Sequence, residues 1–278
     1  MKKLLTCLAL SFVAASSYAA TPLWLRDVQI SPDGTEIAFC YKGDIYKVPA
    51  NGGTATQLTT QASYECSPIW SPDSKQIAFA SDRNGNFDLF VMSADGGAAR
   101  RLTTHSASEI PSTFTTDGNY ILFSASIQDP ANSALFPTSA MTELYKVPVT
   151  GGRTEQVLGT PAEMVCFDKS GKTFLYQDRK GFEDEWRKHH TSSITRDVWL
   201  YNSENGKRNP VFAPDGQTVY FLSERDGSTF NVYSFPISSP QSLKTVTHFK
   251  THPVRFLSMG SNGTLCYTYD GEIYTQKQ

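Results

Sequence analysis

Few residues in this sequence are of a type and spacing that could do chemistry. His189 and His190 are adjacent within the charged stretch Glu183-Asp184-Glu185-Trp186-Arg187-Lys188-His189-His190-Thr191. Imidazoles can ligate a metal or move a proton, but a metal site wants further ligands, and neither a nearby Cys nor an i, i+4 histidine partner is present. A solvated loop accounts for the pair. Asp82, Asn84, Asn86 and Asp88 place oxygen donors at every second residue, as a calcium loop does. The same stretch contains Asn84-Gly85, a favoured two-residue hairpin turn, and the hairpin is the reading we take. The sequence contains no Gly-x-Ser-x-Gly elbow, no His-Glu-x-x-His and no phosphate-binding glycine loop. The expectation is a chain with no catalytic residues, no metal and no cofactor of its own.

Charge and cysteine use narrow the class further. Twenty-five basic residues face twenty-seven acidic ones, a formal net charge of −2, which offers nothing to attract a phosphate backbone, so nucleic acid is not an expected partner. Cys40, Cys66, Cys166 and Cys266 are far apart and form no C-x-x-C pair, which argues for buried thiols in strands. If two of them oxidise, Cys40 with Cys266 is the first expected pair, since both fall in strands of units that should be neighbours.

The first residues read as a targeting segment. Lys2 and Lys3 precede an apolar run from Leu4 to Ala15, and Ser17-Tyr18-Ala19 has the small-x-Ala form of a signal-peptidase site. Residues 1–19 are therefore expected to be a signal peptide, and the product an exported, periplasmic protein. The run is shorter than the roughly 20 apolar residues that span a bilayer, so no membrane insertion is expected. Cys7 raises lipidation as an alternative, which Thr6 before it disfavours.

The elements that must position any site announce themselves by repetition. A turn signature recurs six times, as Ser31-Pro32-Asp33-Gly34, Ser71-Pro72-Asp73-Ser74, Thr115-Thr116-Asp117-Gly118, Asp168-Lys169-Ser170-Gly171, Ala213-Pro214-Asp215-Gly216 and Gly260-Ser261-Asn262-Gly263. The period is about 45 residues. Proline presets the first turn dihedral, Asp bonds its own backbone and Gly accepts a positive φ. Each turn is followed by an apolar run such as Ile37-Ala38-Phe39 or Val219-Tyr220-Phe221, then by an acidic or amide residue, an aliphatic and an aromatic, as in Asp44-Ile45-Tyr46 or Glu272-Ile273-Tyr274. Adding a short strand before the turn and an outer strand around Gln57-Leu58-Thr59 or Arg101-Leu102-Thr103 gives four antiparallel strands per repeat. The predicted fold is an all-β, six-bladed β-propeller over residues 20–278, with repeats near 24–63, 64–107, 108–162, 163–207, 208–253 and 254–278. Blade four is expected to be irregular, because Asn205-Gly206-Lys207 runs directly into the next repeat, and blade six incomplete, because Gln278 follows its third strand.

Binding is expected on one face. Two long insertions, Gln128 to Thr142 and Arg179 to Arg196, should rise side by side there, with Phe136, Phe182 and Trp186 as aromatic anchors and His189 and His190 beside them. Eight or nine positions before the end of each turn the chain should enter its innermost strand, and there the repeats carry Arg26, Glu65, Glu109, Glu163, Arg208 and Arg255. If all six point inward they form an acidic half-ring facing a basic one at the mouth of a channel, a field suited to a zwitterionic peptide. Ordinary rim salt bridges are the alternative.

These turns and paired strands resemble the propeller repeats of the TolB-like group, and in order and spacing look most like the N-terminal six-bladed propeller of tricorn-type exported serine peptidases. The resemblance covers residues 20–278. It implies a non-catalytic module that binds or gates peptides through its channel, partnered by downstream peptidase domains, in an apparently truncated chain. A stand-alone TolB-like scaffold holding a partner polypeptide in the cell envelope is the second expectation, and an independent propeller hydrolase the third.

Overall fold

A computed structural model describes residues 24–127, 142–178, 197–202, 213–223, 229–239 and 241–278. Within them the chain is all strand and turn, arranged in six antiparallel sheets. Sheet one runs β1 (Arg26–Ile30), β2 (Glu36–Tyr41), β3 (Asp44–Pro49), β4 (Thr56–Gln57). Sheet two is β5 (Glu65–Trp70), β6 (Gln76–Ser81), β7 (Asp88–Ser93), β8 (Arg100–Arg101), and sheet three β9 (Ile110–Phe114), β10 (Tyr120–Ala125), β11 (Glu143–Pro148), β12 (Glu155–Leu158). Three strands are described in each of the others: β13 (Glu163–Phe167), β14 (Thr173–Gln177) and β15 (Val198–Asn202), then β16 (Thr218–Ser223), β17 (Asn231–Pro236) and β18 (Lys244–Thr245), then β19 (Arg255–Met259), β20 (Thr264–Tyr269) and β21 (Glu272–Lys277).

Each sheet is a simple meander, and what joins the sheets is their first strands. β19 packs on β1, β1 on β5, β5 on β9 and β9 on β13, so the first strands line up side by side around an axis. The last sheet meets the first: the Ile30 amide donates to Ser258 Oγ at 3.3 Å, and the Ser261 amide to the Pro32 carbonyl at 2.9 Å. Apolar residues on facing sheets fill the wedges between them, as Ala78, Leu89 and Val91 of sheet two meet Phe114, Ile121 and Phe123 of sheet three.

The six recurring turns close as their chemistry requires. Gly34 donates to the Ser31 carbonyl at 2.8 Å while Asp33 accepts from the Ser31 hydroxyl and the Thr35 amide, and the other five copies repeat the turn bond. Turns six, one, two, three and four also touch in sequence along one rim. Gly34 lies against Asn262, the Asp33 amide donates to Ser74 Oγ, Gly118 lies against Pro72 and Gly171 against Thr116. That crowding separates two glycines of nearly equal φ. A Cβ on Gly171 (φ +69°) would fall 2.2 Å from Thr116 Oγ1, whereas one on Gly216 (φ +66°) meets nothing within 4 Å. Gly216→Ala should therefore cost only the left-handed penalty of about 1–2 kcal/mol. Gly171→Ala should cost measurably more in urea unfolding; equal costs would mean that the turns do not share a rim.

A bulge recurs in the innermost strands. The pairing slips between Arg26 and Gln29, Cys66 and Ile69, Glu163 and Cys166, and Arg255 and Ser258. At each slip one residue adopts a left-handed backbone: Asp27 (50°), Ser67 (52°), Met164 (51°) and Phe256 (54°). In sheet three Pro111 occupies this place; its ring fixes φ negative, and the slip there has no left-handed residue.

Candidate functional site

The bulges decide what the six charged positions do. Counting from each bulge, Arg26, Glu163 and Arg255 are equivalent to one another, with Cys66 and Ile110 in that place in sheets two and three. Glu65 and Glu109 sit one residue earlier, equivalent to Leu25, Ala162 and Val254. Glu65, Glu109, Ala162 and Val254 each donate their amide to the preceding sheet, at Gly43, Phe87, Thr142 and Phe230. One residue along a strand is a change of face. The structure thus brings Arg26, Glu163 and Arg255 to one register but does not assemble the six into one ring. Glu65 is 0 % exposed and Glu109 1 %, in a slot between sheets that Ala162 and Val254 fill with apolar side chains. Arg208 lies outside the described residues, as do Phe136, Phe182, Trp186, His189 and His190.

The two buried carboxylates have opposite surroundings. Glu65 accepts from Ser63 Oγ at 2.7 Å, Ser81 Oγ at 3.1 Å and Arg83 Nη2 at 2.6 Å. Arg83 is itself held by Ser81 Oγ at 2.9 Å and by the Phe90 ring, 4.3 Å from the guanidinium carbon. In sheet three the positions of Ser63, Ser81 and Arg83 are taken by Ala107, Ala125 and Ile127. Neither Glu109 oxygen has a well-formed hydrogen bond. Beside it in sheet two are the Thr103 hydroxyl and the ion pair of Asp88 with Arg101 Nη2 at 2.7 Å. Burial, with the Asp88 charge adding to it, raises the Glu109 carboxyl to about 7, against the lowering effects of Thr103 and Arg101.

The end of the molecule where the innermost strands begin carries large exposed side chains. Trp24 is 69 % exposed beneath the Arg26 guanidinium, 5.8 Å from the ring centre. Tyr64 stands edge-on to Phe87 and borders an open depression of about 690 Å³ between sheets one and two, lined also by Lys42, Ser63, Asp82 and Arg83. Met164 is exposed on the fourth sheet. Sequence reasoning did not single out Trp24, Tyr64 or Arg83, although Ser81-x-Arg83 beside Glu65 is a legible donor pattern. The alternating donors of the Asn84-Gly85 hairpin do not converge. Asp82 accepts the Tyr64 amide, Asn86 donates to the His105 and Ala107 carbonyls, and Asp88 is committed to Arg101.

All four cysteines in the described residues are free thiols. Cys266 packs with Val28 and Phe39, while Cys40 lies in a different cluster beside Cys66, so the expected Cys40–Cys266 pair is not formed. Burial raises the Cys66 and Cys266 thiols to about 12, whereas Cys166 is exposed, unlike the buried thiol expected there. Cys40 is raised as well. Thiolate is the reactive form. At pH 7.5 iodoacetamide should label Cys166 slowly and the others only after unfolding; rapid labelling of Cys40 or Cys66, followed by mass spectrometry, would contradict this.

Sheets set side by side around an axis, with their first strands innermost and their turns on one rim, define a β-propeller. The chain belongs to the family of the tricorn protease N-terminal beta propeller domain, which it matches over residues 22–278. That domain is a non-catalytic propeller of a peptidase family. Among solved structures the chain is similar to the tricorn protease, at 21 % identity and a TM-score of 0.75 over 92 % of this chain and 25 % of that one. It spans about a quarter of that protein's length. It is also similar to TolB from Acinetobacter baumannii (18 % identity, TM-score 0.57, 77 % of this chain and 52 % of that) and to a chain of a nidogen/laminin complex (12 %, 0.56, 84 % and 85 %). No curated protein sequence matches the chain significantly. Among the described residues no helix is long and apolar enough to cross a membrane.

Proposed function

We propose that this chain is a non-catalytic propeller module of an exported tricorn-like peptidase, taking extended polypeptide at the end of its channel. The observation that carries the reading is the shared register of Arg26, Glu163 and Arg255 on the innermost strands β1, β13 and β19, within a chain that matches the tricorn propeller domain from residue 22 to 278. Two arginines on sheets that abut, with exposed Trp24 and Tyr64 close by, suit a carboxylate and the apolar side chains around it. Glu163, across the axis, suits the opposite charge. Glu65 and Glu109, being buried, take no part. Phe136, Phe182 and Trp186 lie outside the described residues, and the reading does not rest on them. Export rests on the Lys2 to Ala19 segment, and downstream peptidase domains are the expected partners.

The test uses a fluorescein-labelled, reduced and carboxymethylated protein that cannot fold, titrated with the full chain. Saturable anisotropy should weaken at least fivefold when Arg26→Glu and Arg255→Glu are combined, with the unfolding midpoint preserved. Binding that ignores the reversal, or no binding, would overturn the channel reading. The similarity to TolB supports a second reading, a scaffold that holds a folded partner; binding of folded but not unfolded protein would favour it.

A further inference from the structure

Two of the four cysteines meet across the seam between sheets one and two. Cys40 lies on β2 and Cys66 on β5, strands that pack on each other; Cys40 belongs to the apolar cluster that fills this seam, and Cys66 packs against it. One carboxylate ties them together. Asp27 Oδ2 accepts the Cys40 thiol at 3.5 Å and the Ser67 amide at 3.0 Å, so the Cys40 sulfur is held beside the backbone that follows Cys66. The Ser67 amide also faces the Cys40 sulfur, and the charge of Cys66 helps to raise the Cys40 thiol, an effect of close approach. The other two cysteines lie elsewhere: Cys266 packs with Val28 and Phe39 in a different cluster, and Cys166 is on β13 in sheet four.

The backbone fixes both positions. Cys40 pairs with Arg26 in sheet one and Cys66 with Ala80 in sheet two, each pair at the start of a bulge whose left-handed residue is Asp27 or Ser67. Across the seam the Glu65 amide donates to the Gly43 carbonyl at 2.8 Å and Trp70 Nε1 to the Gln29 carbonyl at 3.0 Å, so β5 is pinned to sheet one on both sides of Cys66. Cys40 is 3 % exposed and Cys66 half-buried, so in the folded thiol form little of either sulfur meets solvent.

We propose that Cys40 and Cys66 are a disulfide site, oxidised as sheets one and two close on each other, so that the bond staples the first two sheets beside Arg26. The oxidant is a small-molecule or protein disulfide, of the kind an exported compartment supplies. One cysteine, as its thiolate, attacks that disulfide and expels one thiol; the second attacks the mixed disulfide and expels the other. Two electrons and two protons pass from the cysteines to the oxidant, which ends as two thiols. Turning the Cys40 sulfur to Cys66 releases one contact on Asp27 Oδ2 and leaves the Ser67 amide in place. The link constrains the unfolded chain and so stabilises the folded one. It stands whether or not the channel takes peptide, and rests on export only for its oxidant in the cell.

For the test, the full chain is unfolded with reductant and refolded in a buffer of glutathione and glutathione disulfide, and the folded monomer is isolated. Remaining thiols are alkylated in urea, and a tryptic digest is read without reductant. Cleavage after Arg26, Lys42, Lys47 and Lys75 puts the two cysteines in separate peptides, 27–42 and 48–75. These should appear joined in most molecules, with Cys166 and Cys266 alkylated. The joined protein should need more urea to unfold than the same protein with reductant, and the midpoint of Cys66→Ser should not respond to reductant. Four alkylated cysteines, Cys40 joined to Cys266 or to glutathione, or a parent midpoint that reductant leaves unmoved would overturn the proposal. The peptide map is read on the unaltered chain, so it does not depend on how Cys66→Ser folds. Because the oxidant is supplied, a negative map counts against the site and leaves the export reading untouched.

Discussion

Replacing Glu109 by Leu should stabilise the protein above neutral pH and flatten its stability between pH 5 and 8. A carboxyl raised from the usual 4.5 to about 7 binds its proton more tightly folded than unfolded. Below about pH 4.5 both states are protonated and the site is neutral. Between that and about 7 the unfolded chain has given up a proton that the folded chain retains, so stability falls as pH rises, and above about 7 the loss is complete. The shift corresponds to roughly 3 kcal/mol. Leu is a fitting replacement because Leu25, Ala162 and Val254 occupy the same slot in other sheets. Urea unfolding at pH 5.5 and 8.5 reads the effect: the parent should lose stability across that interval and the variant should lose much less. A parent profile that rises through the interval would mean that Glu109 is held ionised.

Removing the guanidinium from Glu65 should have the larger cost. Arg83→Met leaves a fully buried carboxylate with only the Ser63 and Ser81 hydroxyls. Breaking a buried pair from one side typically costs about 3–5 kcal/mol. In a domain of this size that lowers the melting temperature by about 10 °C. Glu65→Leu with Arg83→Met should recover most of the loss, since the charge and its partner go together. The cycle of single and double variants measures the coupling. Additive losses would show that Glu65 is hydrated, as a channel-facing residue would be.

Much of the architecture is legible in the sequence because its devices are local. Ser-Pro-Asp-Gly closes a turn by bonds among its own residues, and six copies at one period dictate six sheets in a row. What could not be read was the face of each innermost strand. Arg26 lies eight residues before its turn's last glycine, and Glu109 lies nine before its own. A spacing that varies by one looks like drift in a loop, yet between bulged strands it moves a side chain from the channel end into the slot between sheets. The contrast between Ser63, Ser81 and Arg83 around one glutamate and Ala107, Ala125 and Ile127 around the other was present in the residues, but only the register shows which to compare.

Closure of the ring is the claim on which the channel end and the slots between sheets both depend. The contact to probe is the amide of Ser261 against the carbonyl of Pro32, 2.9 Å apart and 229 residues distant in sequence. Backbones that close fall within the roughly 4.4–6.8 Å Cα separation of a disulfide. With Pro32→Cys and Ser261→Cys combined, mild oxidation of dilute protein should give an intramolecular crosslink, seen as faster migration without reductant and as a linked tryptic peptide pair. Monomer that stays uncrosslinked, or only crosslinked dimer, would contradict a ring in which the sixth sheet meets the first.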